Sequence, residues 1–136
     1  MENIRWKQRF DNLEKAYSKF LVVIDIVKKN PDDEIYEMAL IQSFEFVYEL
    51  SWKTIKDYLK NSGVYDANLP REVIKSGFHF KIIEDGQLWI DMMSDRNMLS
   101  HTYNEIYAKK TVKKIISEYY PALKQVFEYF SSKINE

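Results

Sequence analysis

Arg96 and His101, five residues apart, are the side chains in this sequence best suited to chemistry on a phosphodiester. A guanidinium keeps its proton and presents a planar fork of donors to phosphate oxygens. An imidazole titrates near neutrality and can take or give a proton during reaction. RNA cleavage needs only these two functions and no metal: a deprotonated 2′-hydroxyl attacks the adjacent phosphorus, and a cation balances the charge that develops there. Asp95 and Asn97 lie in the same short segment and are candidate supporting groups, and Tyr103, seven positions after Arg96, shares the arginine's face on a regular helix. The competing reading is structural: Arg96 pairs with Glu45 or Glu49 and His101 is a partly exposed histidine, since ion pairs that only hold a fold are commoner than active sites.

Other chemistries find little support. The chain has no cysteine, which excludes disulfides, thiol catalysis and thiolate metal sites. Its two histidines, His79 and His101, are not preceded by Glu at the spacing that di-metal helical bundles use, so neither a metal nor another cofactor is expected. His79, between two phenylalanines, reads as a packed or surface side chain. The sequence lacks a glycine-rich phosphate loop, a Ser-His-Asp order and the Gly-Ser and paired-Asp motif of a nucleotidyltransferase.

The elements that must position Arg96 and His101 are helices. Only three Gly and three Pro punctuate 136 residues, and 46% of the side chains are hydrophobic, enough for one domain (1–136) with its own core. Trp6, Phe10, Leu13, Tyr17, Phe20, Ile24 and Val27 form one helical stripe that Lys28-Lys29-Asn30-Pro31 should end. Asp32 or Asp33 can cap a second helix carrying Ile41, Glu45, Tyr48, Trp52, Ile55 and Leu59, which stops near Asn61-Ser62-Gly63. Phe44, Phe46, Val47 and Leu50 give that helix a second apolar face, suited to a central position or a subunit interface.

Val64 to Leu69 reads as a loop, and Pro70 starts a short helix expected to reach about Ile83, interrupted by Gly77. If the next helix runs unbroken from Gln87 to about Tyr107, its inward line is Trp89, Met92, Arg96, Leu99, Tyr103 and Ile106, with Met93, Asn97, His101 and Asn104 beside it. That places an arginine on the core line. It also sets Arg96 and His101 about 140° apart around the axis, so only a local break or a second subunit would bring them to one atom. Val112, Ile116, Tyr119, Leu123, Val126 and Phe130 continue in phase across Pro121, which predicts one kinked helix. The fold class is therefore all-α: an antiparallel four-helix up-and-down bundle with an extra short helix.

Twenty basic and 21 acidic side chains leave a net charge of −1, so nucleic-acid binding would have to use a local patch drawn from Lys53, Lys56, Arg71, Lys75, Lys81 and Arg96. No segment has the order of a signal peptide or the length of a membrane span, and a cytoplasmic location without membrane association is expected.

The pattern Arg96-x4-His101-x-Tyr103, with Asn97 after the arginine, resembles the Arg-x4-His-x-Tyr motif of HEPN-domain proteins. The chain is more narrowly similar to the HEPN-like nucleotidyltransferase substrate-binding protein family, whose members include HepT toxins. Phe44 to Lys53, Leu69-Pro70-Arg71-Glu72-Val73-Ile74 and Trp89-Ile90-Asp91-Met92-Met93 extend the similarity over nearly the whole chain. The resemblance implies a homodimer in which two motifs face a shared cleft. It also implies a small, MntA-like nucleotidyltransferase partner that acts as antitoxin. In the toxin branch, Arg96 and His101 would form a metal-independent ribonuclease centre, supported by Asn97 and Asp95, and Tyr103 would accept AMP from the partner. The family name carries the alternative: a non-catalytic subunit that presents a nucleotide or substrate to the transferase.

Overall fold

The computed structural model describes residues 2–101 and 104–136, and the described residues are helical with no strand. Helix α1 (Glu2–Lys29) and helix α2 (Glu34–Asn61) form a long antiparallel hairpin. Asn30 closes α1 by donating its side-chain amide to the Ile26 carbonyl at 2.9 Å. Asp33 caps α2, accepting from the backbone N–H of Ile35 at 3.0 Å and Tyr36 at 3.1 Å, an arrangement worth about 1 kcal/mol. At the far end Gly63 adopts φ 92, and the Val64 N–H returns to the Leu59 carbonyl at 2.9 Å. A Cβ there would be strained, and the returning bond satisfies a carbonyl that the helix end would otherwise leave open.

Helix α3 (Pro70–His79) begins on its proline, and the Glu72 carboxylate accepts from the N–H groups of Leu69 and Asn68 at 3.0 and 3.2 Å. Those two bonds hold the Glu72 carboxyl below its ordinary pKa. The helix ends at His79 rather than near Ile83, and Gly77 lies within it rather than interrupting it. A left-handed turn at Lys81, φ 64, sends Ile82 and Ile83 into the core, and both donate to the Gly77 carbonyl. Gly77 suits this close approach: a Cβ would meet Ile83 Cδ1 at 3.0 Å, and the isoleucine side chain would have to shift to admit it.

Helix α4 (Gly86–His101) is followed by helix α5 (Glu105–Lys114), a π-helical turn (Ile115–Tyr119) and helix α6 (Tyr120–Lys133). The helix expected to run on to Tyr107 ends at His101, and Asn104 caps a new one by accepting from the Tyr107 N–H at 3.1 Å. The inward line resets with it. Ile106, expected inside, is 76% exposed, and Ala108, Thr111 and Val112 are buried instead. Across Pro121 the path stays helical, as the continuous phase predicted, and the π turn accommodates the change: Ile115 rather than Ile116 is fully buried.

Ring contacts fix the packing. Trp6 meets Tyr58 edge-on at 5.1 Å, Phe10 stacks on Phe127 at 5.3 Å, and Phe44 stacks on Tyr119 at 5.7 Å. Tyr48 and Trp89 lie 6.2 Å apart. α1 therefore runs against both α2 and α6, and α2 against α4 and the π turn, in an up-down-up-down bundle with α3 as the extra element. Phe44 and Val47 fill the core, whereas Phe46 is exposed and lines a groove of about 400 Å³ between α1 and α2 with Ala16, Val23 and Leu50. No helix among the described residues is long and apolar enough to cross a membrane.

Candidate functional site

Two adjacent residues of α4 point to different neighbours. Asp95 faces inward and is 9% exposed. Its Oδ1 accepts from the Tyr107 hydroxyl and its Oδ2 from the Tyr119 hydroxyl, while Lys114 Nζ lies 3.7 Å from Oδ2. Each carboxylate oxygen is thus bonded, as a buried carboxylate requires. Burial, and then the hydrogen bond to Asp95 and its charge, push the Tyr107 phenol up to about 12 and the Tyr119 phenol up as well. This cluster ties α4 to α5 and the π turn immediately before the candidate catalytic segment. The sequence marked Asp95 only as a supporting residue and did not single out its tyrosine partners. Tyr119 looked like one more position on an apolar stripe.

Arg96 faces the seam between α4 and α2, with its side chain 28% exposed. Its Nη2 lies 3.4 Å from Glu49 Oε1 and its Nε lies 3.9 Å from Glu45 Oε2. Glu49 is shared with Lys53 at 3.5 Å, and the Ser100 hydroxyl lies 3.2 Å from Glu45 Oε2 and 3.1 Å from the Arg96 carbonyl oxygen. The pairing with Glu45 and Glu49 read from the sequence is present. It does not saturate the guanidinium: Arg96 Nε is buried and has no hydrogen-bond partner among the described residues. The Tyr48 hydroxyl and Trp52 Nε1, on the same helix as the two glutamates, share that condition. Burial raises the Tyr48 pKa, aided by the charge of Glu49 and opposed by that of Arg96.

Asn97 and His101 are exposed. α4 is continuous from Gly86 to His101, so the helix break falls after the histidine and not between it and the arginine. The two groups therefore keep the roughly 140° separation of an unbroken helix and do not converge within one chain. Tyr103 lies outside the described residues. His79 is exposed and packs edge-on against Phe80 at 4.8 Å. No group of three or more His, Asp or Glu side chains able to hold a metal ion occurs among the described residues.

The model of a family described as nucleotidyltransferase substrate binding protein like matches residues 8–132. The chain belongs to that family. A "Probable ribonuclease HepT" of Haemophilus influenzae is 33% identical over 69 residues, which span 48% of this chain and 47% of that protein. The match thus covers about half the length of the curated relative. A solved Haemophilus influenzae structure, described as revealing the fold of a substrate binding domain of a nucleotidyltransferase, superposes with a TM-score of 0.74 at 21% identity, covering 93% of this chain and 99% of that one. A crystal structure of a Thermus thermophilus protein gives 0.71 at 23%, covering 91% and 99%. Both share the helical fold of this chain.

Proposed function

We propose that this protein is a HepT-like toxin of a toxin–antitoxin pair: a metal-independent endoribonuclease of the HEPN type, active as a homodimer. The observation that carries the proposal is Arg96 itself, a guanidinium at the seam between α4 and α2, 28% exposed and held only by ion pairs of 3.4 and 3.9 Å to two carboxylates. A phosphate oxygen that meets the exposed part of the guanidinium gains a charge-assisted bond there. The family membership and the HepT relative support the same reading.

Because Arg96 and His101 diverge on one helix, each site takes its arginine from one subunit and its histidine from the other. His101 removes the proton from a 2′-hydroxyl, the O2′–P bond forms and the P–O5′ bond breaks. The proton passes to the leaving 5′-oxygen, and Arg96 balances the charge on the phosphorane. The groove beside the exposed Phe46 is a candidate subunit contact, and a strictly monomeric mass in solution would contradict the dimer.

The antitoxin is a small nucleotidyltransferase that moves AMP from ATP to the Tyr103 oxygen with release of pyrophosphate. Incubation with the partner and ATP should add AMP masses that vanish in Tyr103→Phe. For the ribonuclease reading, purified protein in chelator should cut RNA, and Arg96→Ala should lower the rate by about 100-fold or more. Equal residual cleavage in wild type and variant would end that reading.

A second reading rests on Glu45 and Glu49, which already offset the charge of Arg96. In it, the chain is a non-catalytic subunit that presents a nucleotide or substrate to the transferase. It predicts saturable nucleotide binding, lost in Arg96→Ala, with no RNA turnover.

A further inference from the structure

The α2 face that carries Glu45 and Glu49 continues as Lys53, Lys56 and Lys60, residues that recur on one helical stripe leading away from Arg96. All three are half-buried. Lys53 and Lys56 place their ammonium groups 5.9 and 5.8 Å from the Trp52 ring centroid, which holds them as a ridge. Arg9 of α1 stands beside them, its Nε 3.1 Å from Asp57 Oδ2.

The carboxylates within this group each face a cation, although Asp57 Oδ1 is buried without a hydrogen-bond partner among the described residues. The Asp57 side chain is fully buried under Arg9, and Glu49 is divided between Lys53 and Arg96. The Lys56 ammonium is pushed below its ordinary range by burial and by the neighbouring cations Lys60, Arg9 and Lys53, against the opposing pull of Asp57. Arg9, Lys53 and Arg96 each face a carboxylate, but no salt bridge among the described residues involves Lys56 or Lys60, so a chain with a net charge of −1 carries an excess of positive charge on this part of the stripe. Lys60 alone could be explained as a cation in the last turn of its helix, but Lys53 and Lys56 lie too far inside α2 for that.

We propose that Lys53, Lys56, Lys60 and Arg9 form a track for the phosphate backbone of an RNA strand whose scissile phosphate lies at Arg96. This rests on the ribonuclease reading for its register, not for the binding itself. From Lys53 to Lys60 the helix rises about 10 Å, the rise of about three stacked nucleotides. A protein partner fits less well: its interface would need apolar or aromatic anchors, and the one aromatic on this ridge, Trp52, is 7% exposed. A phosphate backbone needs only spaced cations.

The test uses the full-length protein and a 2′-O-methyl oligoribonucleotide, which can bind but lacks the attacking hydroxyl. Fluorescence anisotropy across a salt series compares Lys56→Gln/Lys60→Gln with the control Lys28→Gln/Lys124→Gln, an equal charge change at exposed positions off the stripe. The track predicts binding about tenfold weaker at low salt for the first variant, and a log–log salt slope reduced by about 1.4, or about 0.7 per lost phosphate contact to a single strand. The control should stay near wild type. Equal losses in the two variants, an unchanged slope, or no wild-type binding would overturn the track. So would polyglutamate binding as strong as RNA and equally sensitive to the stripe lysines, which would assign the stripe to an acidic protein surface. Stripe-dependent binding with no cleavage of ordinary RNA would leave the track standing and remove the ribonuclease reading. Cleavage with unaltered affinity in the stripe variant would do the reverse.

Discussion

Asp95 and Arg96 are consecutive on α4, both charged and both away from full solvent, yet they are held in opposite ways. Asp95 has two phenols and an ammonium around a buried carboxylate. Arg96 has two carboxylates at 3.4 and 3.9 Å and a buried nitrogen with no acceptor among the described residues. A buried charge with every oxygen bonded contributes to one fixed packing and has nothing left to offer a ligand. An arginine held by two long ion pairs, with part of its side chain exposed, can still take a phosphate at its accessible edge. One residue of sequence, about 100° of helix, separates an anchor from a candidate working group.

The largest effect expected from breaking the anchor is on stability. Asp95→Ala leaves two phenols and Lys114 without their acceptor and should cost about 3 kcal/mol, read as a lower urea midpoint and a melting temperature down by about 10 °C. A loss below about 1 kcal/mol would show that the cluster does not anchor α4. Tyr119→Phe removes one donor while Tyr107 still serves the carboxylate, and a loss of about 1.5 kcal/mol is expected in the same unfolding measurement.

The anchor also sets an alkaline limit. The fold raises the Tyr107 phenol from its ordinary 10 to about 12, so the folded state holds this proton more tightly than the unfolded state does. Its contribution is intact below pH 10 and is lost progressively as pH rises toward about 12. Urea midpoints taken from about pH 9 to 12 should fall less steeply in Tyr107→Phe, and parallel curves would contradict the assignment. The smallest stability effect belongs to Arg96→Ala, within about 1 kcal/mol because its ion pairs are partly solvated. A loss as large as that of Asp95→Ala would make the arginine a structural residue and erase the contrast.

Much of this was legible in the sequence because helices announce their ends. Asp33, Pro70 and the Asn61-Ser62-Gly63 stop fall where capping chemistry puts them, and the pairing of Arg96 with Glu45 and Glu49 follows from an arginine on a core line facing an acidic helix face. The break after His101 was hidden because Leu99, Tyr103 and Ile106 stay in helical phase across it. Asn104, a good cap residue followed by an acidic first turn, was the available signal. The Asp95 cluster was not readable, because spacing along the chain does not tell which buried carboxylate two distant phenols will meet, and Tyr119 sits in a π turn that spacing rules do not anticipate. The second apolar face of α2 divided: Phe44 and Val47 belong to the chain's own core, and Phe46 remains exposed.

The central claim is that Arg96 and His101 serve one phosphate from two subunits, and subunit mixing tests it most directly. Arg96→Ala and His101→Ala should each be folded and nearly inactive toward RNA in chelator. Unfolded and refolded together in equal amounts, they form hybrid dimers with one intact site, and activity should return to about a quarter of wild type. Mixed protein that stays at the level of the separate variants, or variants that cleave as wild type does, would contradict the claim.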